Sequence, residues 1–138
     1  MSLQVEVLER SFTAVAPKGD EFVAAFYARL FSEHPEVKPL FGDTDMAVQQ
    51  KKLLAALVLA VENLRRPDVL GPVLKDLGRR HAGYGAKPEH YGVVGAALLE
   101  TFAVFLGAAW TPDVKQAWVE AYGAISSLML EGANGHAV

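Results

Sequence analysis

The stretch PDVLGPVLKDLGRRH, residues 67–81, carries the pattern that decides the fold. Within it Leu70, Leu74, Leu77 and His81 recur at i, i+4, i+7 and i+11, which is the spacing of one face of an α-helix. Lys75, Arg79 and Arg80 fall on other faces. The pattern therefore predicts a helix that buries three leucines and presents a histidine on the same apolar face.

Residues that disturb helices lie inside this stretch and directly after it. Gly71-Pro72 predicts an irregular or broken helix, because proline lacks the N–H that would bond to the carbonyl four residues earlier. Gly83 and Gly85 predict that the helix ends just after His81. An end at that point leaves room for a cavity beside the imidazole.

Further helical segments extend outward in both directions, and no strand pattern interrupts them. Asp20, Asp45 and Thr111 are predicted N-caps. Pro35–Phe41 is predicted to be a short tight segment, and residues 133–138 a frayed tail. We therefore predict an all-α chain, although periodicity alone does not distinguish a bundle from another helical fold. The predicted helices span about residues 5–16, 20–33, 46–64, 67–81, 88–106 and 112–132.

Length, composition and charge fit one globular domain that spans residues 1–138 and has its core at about 5–130. The chain has 138 residues, 51% of them hydrophobic and 21% charged. A net charge of −3 argues against nucleic acid as a partner, because phosphate binding needs a basic surface. The first ten residues contain no signal-peptide pattern, and the nine-residue apolar run Leu53–Val61 is short for a bilayer span. We expect a cytoplasmic protein with no integral membrane contact.

The absence of cysteine limits the chemistry that the chain can perform. It excludes a disulfide scaffold, a thiolate metal site, a thiol nucleophile and a cofactor tethered through sulfur. A metal or cofactor must then be held by histidine, carboxylate, tyrosine or methionine. Of the four histidines, His34, His90 and His136 are expected at the surface or the chain end. His81 is the candidate ligand.

A single histidine on an apolar face is more often a core residue with a local partner than a ligand. The preceding helix, however, places Gln49 on one stripe with Leu53, Ala56 and Ala60. Its small residues leave space for a flat apolar cofactor, which needs one axial ligand and two apolar walls. At this point both interpretations of His81 remain open.

Five segments, taken in order and spacing, resemble single-domain bacterial globins, including Vitreoscilla-type haemoglobin, the haem domain of flavohaemoglobins and the neuroglobin-like bacterial globins. The resemblance covers about residues 5–130. It implies the globin fold, a three-over-three helical sandwich around haem. The segments are Phe26-Tyr27, PEVKPLF at 35–41, LGRRH at 77–81, HYGVVG at 90–95 and AWVEAYG at 117–123.

The resemblance also implies roles for individual residues. His81 matches the proximal ligand of the haem iron, and Phe41 the phenylalanine that stacks on the porphyrin. Tyr27 matches the distal tyrosine, for which a core aromatic is the alternative. Gln49 matches the distal position over the iron, but a one-residue shift would put Gln50 there instead.

The remaining implied site residues surround this centre. Lys52 matches a position that pairs with a haem propionate, although a solvated lysine is about as probable on sequence grounds. Tyr91 matches the tyrosine behind the proximal histidine. The haem pocket is completed by Leu53, Leu77, Tyr84 and Val94.

One position departs from relatives with strong oxygen-activating chemistry. Those relatives carry a glutamate on the last helix that reaches the proximal histidine, and this chain has Ala133 there. Glu131, two residues earlier, is expected to face another way. Without the carboxylate, the histidine should push less electron density to iron.

The function implied is reversible, high-affinity binding of dioxygen or another diatomic gas by non-covalent haem b, for oxygen binding, storage or delivery. Nitric-oxide dioxygenation with an external reductase is the alternative. Two further alternatives are a haem-based gas sensor that acts through a partner and a haem-free interaction domain. The length leaves no residues for a reductase or a transmitter domain, and a monomer or weak homodimer is expected.

Overall fold

A computed structural model describes residues 4–42, 45–83 and 87–135. In these ranges the chain is helical and contains no strand, which confirms the all-α prediction. Short 3₁₀ segments cover Ala16–Lys18, Pro35–Phe41 and Gly107–Ala109. The α-helices are α1 Val5–Val15, α2 Gly19–Glu33, α3 Met46–Glu62, α4 Pro67–Gly83, α5 Pro88–Leu106 and α6 Pro112–Gly135.

Two of the three predicted N-caps are confirmed. The Asp45 carboxylate accepts a hydrogen bond from the Ala47 backbone N–H at 2.9 Å, and the Thr111 hydroxyl accepts from Val114 N–H at 3.3 Å. The prediction for Asp20 is wrong, because the preceding 3₁₀ segment runs directly into α2 and leaves no extended capping residue. Asp20 lies instead in the first turn, where its carboxylate complements the positive end of the helix dipole.

The predicted break at Gly71-Pro72 is also wrong, since α4 continues through both residues. Pro72 removes one backbone bond near the start of the helix, but burial of Leu70 and Leu74 against α6 holds the helix together. The prediction of a frayed tail is wrong for residues 133–135, because α6 continues past Gly132 to Gly135, and residues 136–138 lie outside the described ranges.

The main core forms where α5 passes between α2 and α6. The Phe102 ring lies 4.6 Å from Phe22 and 4.3 Å from Trp118, measured between centroids. The Trp118 indole N–H donates to the Ser11 hydroxyl at 2.8 Å, so this buried polar pair is satisfied. In the described ranges one segment, Pro88–Ala109, is long and apolar enough to cross a membrane, but Leu98 and Phe102 of this segment lie in the core. We therefore interpret α5 as a core helix.

A second, smaller core joins α4 to α6 and includes Ala60 of α3. In contrast, α3 packs on α2 and α1, and it makes few contacts with α4. Half-buried apolar residues of α3 and α5 pack against the first core. The space between α3 and α4 is therefore the place in this fold where a bulky apolar group would find a lining. The buried members of the second core are Ala60, Leu70, Leu74 and Met129.

The backbones of α4 and α6 touch at two glycines. A Cβ atom at Gly78 would overlap the Met129 carbonyl, and one at Gly132 would overlap the Lys75 carbonyl. Gly132 is therefore used for close packing and does not end α6. We call this contact the glycine crossing.

Replacing Gly78 with alanine should destabilise the fold. The new methyl group meets backbone, which cannot move aside as a flexible side chain does, so we expect a loss of roughly 1–3 kcal/mol in unfolding free energy. Gly71→Ala in the same helix is the matched control, because its Cβ meets nothing within 4 Å and should stabilise by about 0.5–1 kcal/mol. Urea unfolding measures both, and equal effects would contradict the close crossing.

Candidate functional site

Tyr27 and Gln49 meet where α2 and α3 cross. The Tyr27 side chain is 5% exposed, and its hydroxyl oxygen accepts a hydrogen bond from the Gln49 amide Nε2 at 3.3 Å. Burial raises the pKa of Tyr27, so its hydroxyl stays protonated. Since the oxygen already accepts from Gln49, the hydroxyl hydrogen can be donated to a third group. The neighbouring Gln50 makes no such contact in the part of the chain that the structure describes.

Phe41 belongs to the same corner. It ends the 3₁₀ segment Pro35–Phe41, and its ring lies edge-on to Tyr27 at 5.7 Å and to Phe31 at 5.2 Å. The structure thus brings Tyr27, Gln49 and Phe41 together. They form an aromatic wall with a polar pair beside it.

His81 lies half-buried on α4, with its orientation set by its own helix. Its Nδ1 is 2.8 Å from the Leu77 backbone carbonyl oxygen. A carbonyl oxygen only accepts, so Nδ1 carries the hydrogen and Nε2 of the neutral imidazole carries the lone pair. The Leu77 carbonyl therefore fixes the tautomer that binds metal through Nε2.

No group of three or more histidine, aspartate or glutamate side chains in residues 4–42, 45–83 and 87–135 is arranged to hold a metal ion. A bare ion would need more ligands than His81 alone provides. His81 suits a metal that arrives already ligated by an organic group.

Tyr122 is a site residue that the sequence did not reveal. Its hydroxyl donates to the Tyr91 backbone carbonyl at 2.6 Å, so α6 supports the turn of α5 that carries Tyr91. Gly95 makes room for this ring, because a Cβ there would lie 2.5 Å from Tyr122 Cε2. Helical spacing with Trp118 and Ile125 indicates a core position for Tyr122, but spacing carries no information about its hydroxyl.

Alkaline pH should weaken the fold through Tyr122. Burial raises its pKa to about 12, whereas an unfolded tyrosine titrates near ~10. The folded state favours the neutral phenol, so this contribution is complete below pH ~10 and is lost as pH rises towards ~12. It amounts to roughly 2–3 kcal/mol. Tyr122→Phe should remove that part of the alkaline decline and cost about 1 kcal/mol at neutral pH. Urea unfolding at several pH values tests this, and an unchanged alkaline decline would contradict it.

The remaining predicted residues do not join one cluster. Leu53 and Val94 pack partly buried against the main core, and Leu77 against the second core. Lys52 is exposed on α3. Tyr84 lies outside the described residues.

The charged and polar residues discussed with the site lie as expected where the structure describes them. Glu131 is exposed and pairs with Lys75 at 3.8 Å. His34 contacts Glu36 at 3.2 Å. His90 is a partly exposed residue of the first turn of α5, where its Nδ1 accepts from a backbone N–H. His136 lies outside the described ranges.

Comparisons with known proteins agree on one family. A family model described as Globin matches residues 24–129. The chain is 34% identical over 128 residues to a flavohemoprotein of Bacillus subtilis (strain 168), covering 91% of the chain and 32% of that protein. It is 32% identical over 126 residues to a flavohemoprotein of Rhizobium meliloti (strain 1021), covering 90% and 31%. The chain therefore spans about a third of the length of these curated relatives.

Solved structures agree with this match. A bacterial globin from Campylobacter jejuni superimposes with a TM-score of 0.83 at 25% identity, covering 96% of this chain and 95% of that one. An engineered carbene transferase, made from a candidate nitric oxide dioxygenase of Rhodothermus marinus, superimposes with a TM-score of 0.86 at 25% identity. It covers 99% of this chain and 97% of that one.

Proposed function

We propose that this chain, which belongs to the globin family, binds haem through His81 and uses Tyr27 and Gln49 to retain a diatomic gas, with dioxygen as its ligand. The observation that carries the proposal is the hydrogen bond from His81 Nδ1 to the Leu77 carbonyl. That bond leaves Nε2 as the metal-binding atom of the one histidine on the apolar face of α4.

The residues present fit haem. Its porphyrin supplies the other ligands of iron, which suits a site with a single imidazole. Half-buried apolar residues on α3 and α5, with the Phe41 ring, offer the walls that a flat ring needs. Binding is non-covalent because the chain has no cysteine, so haem b is the form expected.

Haem supplies an iron atom to which a diatomic gas binds. Tyr27 and Gln49 then act as hydrogen-bond donors to the bound gas, through the phenol hydrogen and a second amide hydrogen. In an apolar pocket each bond contributes ~1–3 kcal/mol, so two slow dissociation by roughly 10- to 10⁴-fold. High affinity for dioxygen follows, with less effect on carbon monoxide, whose oxygen is less polar. Such affinity suits oxygen binding, storage or delivery.

Titration with haem tests the proposal directly. We expect one equivalent to bind the purified protein and give an intense Soret band that shifts on adding dioxygen to the reduced protein. Acid–acetone extraction should remove the haem unmodified. A protein that gives only the broad absorbance of free haem would contradict the proposal.

Nitric-oxide dioxygenation is a second candidate, because the relatives named above include flavohemoproteins and a candidate nitric oxide dioxygenase. In this reaction nitric oxide, dioxygen and one electron give nitrate, so the reaction also requires a reductant that supplies the electron. Ala133 stands at the position where relatives with strong oxygen-activating chemistry carry a glutamate, and this difference favours binding over turnover. Steady-state nitrate formation with an added reductase distinguishes the two functions.

A further inference from the structure

An apolar cavity of about 130 Å³ lies away from the Tyr27 corner, between the first half of α4 and the middle of α6. Pro67 and Gly71 form its outer edge, and both are at least partly exposed. Every lining residue is apolar. The inner wall consists of Leu64, Leu70, Leu74, Ala124, Ile125 and Leu128.

The lining decides what the cavity can hold. Water needs two to four polar partners, and the side chains here provide none, so the cavity stays dry. An engineered apolar cavity of ~150 Å³ in another protein binds benzene, which sets the scale of a ligand for this volume. Filling the space would supply Leu70 and Leu74 with dispersion contacts that an empty cavity denies them.

We infer that this cavity binds one small apolar molecule of the size of a single hydrocarbon ring. Its edge at Gly71 favours access, because no heavy atom beyond the local backbone lies within 4 Å of a Cβ built there. The ligand lies against the second core and makes no contact with the Tyr27–Gln49 pair.

Binding there affects the helix that carries His81. Leu70 and Leu74 line the cavity and share the helical face of Leu77 and His81. An occupant packs α4 more firmly onto α6 at the end opposite His81. The effect of the ligand on His81 rests on the proposed function, because it would be measured as a change in the Soret band of the haem-loaded protein.

Benzene is the probe for the site itself, and carbon-13 methyl resonances are the readout. In haem-loaded protein we expect benzene to shift the methyl resonances of Leu70, Leu74 and Ile125, with half-saturation at roughly 1 mM. The same titration on haem-free protein locates binding independently of whether haem is bound. Shifts confined to the main core, or none at all, would overturn the inference.

Three variants sharpen the test. Ala124→Leu places a larger side chain in the cavity and should weaken benzene binding at least about tenfold. Ala24→Leu, at an exposed position on α2, is the matched control and should leave it unchanged. If Ala124→Leu does not fold, Leu128→Ala enlarges the cavity and should allow naphthalene to bind, which the unmodified chain should reject. Unchanged ring preference in that variant would count against the site.

Discussion

A His81→Gly variant should lose stable haem binding, which is the largest effect that we expect from any single substitution. The imidazole is the only iron ligand that we propose from the protein, and its loss removes a metal bond as well as the ring held by Leu77. Loss of a residue that merely orients a ligand costs ~10–100-fold in metal affinity, so removal of the ligand should exceed that. Transfer of haem to an excess of an acceptor apoprotein, followed at the Soret band, measures the loss.

Two comparisons separate ligand loss from misfolding. Imidazole added to the His81→Gly variant should restore part of the Soret band, because it supplies the ring without the link to α4. His34→Ala removes a histidine that contacts Glu36 and should retain haem as the unmodified chain does. Equal haem retention by the His81→Gly and unmodified proteins would rule out His81 as the ligand.

Tyr27→Phe should raise the dioxygen dissociation rate by roughly 10- to 100-fold, because it removes one donor worth ~1–3 kcal/mol. The ring and its packing against Phe41 are kept, so stability should change little beyond the loss of the bond from Gln49. Stopped-flow replacement of dioxygen by carbon monoxide measures the rate. An unchanged rate would show that Tyr27 is not the donor.

The neighbouring glutamines supply a matched pair for the same measurement. Gln49→Leu should also accelerate dioxygen dissociation, whereas Gln50→Leu should not. Of the two glutamines, Gln49 is the one that is hydrogen-bonded to Tyr27. Since Tyr27 and Gln49 are hydrogen-bonded, the double variant should differ from the sum of the single effects. Additive effects would indicate that the two side chains act independently.

Helix positions were largely predictable, because apolar periodicity and capping chemistry are local. Asp45 and Thr111 cap helices as their sequence positions predict. The errors occur where packing between helices decides the outcome. Pro72 lies within a continuous α4, and Gly132 does not end α6, because both helices are held by contacts that are distant in sequence.

The residues of the candidate site likewise fall into those that the sequence predicts and those that depend on packing between helices. An apolar face that carries His81 can be identified from one stretch of chain, and the resemblance to bacterial globins adds Tyr27, Gln49 and Phe41. The choice of Gln49 over Gln50 as the neighbour of Tyr27 depends on how α3 is rotated, which only the fold specifies. Tyr122 was missed as a site residue, because the direction of a hydroxyl is not encoded in helical spacing.

The glycine crossing should limit which of the two helices beside the proposed haem site, α3 or α4, can move. The backbones of α4 and α6 are in contact at Gly78 and Gly132 and resist sliding past each other. The two helices should therefore move together as one rigid unit. In contrast, α3 has few contacts with α4 and packs mainly on α2, so we expect α3 to move more easily relative to α4. We therefore expect the rate of haem uptake to depend on the movement of α3. The rigid pair of α4 and α6 should hold the His81 imidazole in position before haem binds.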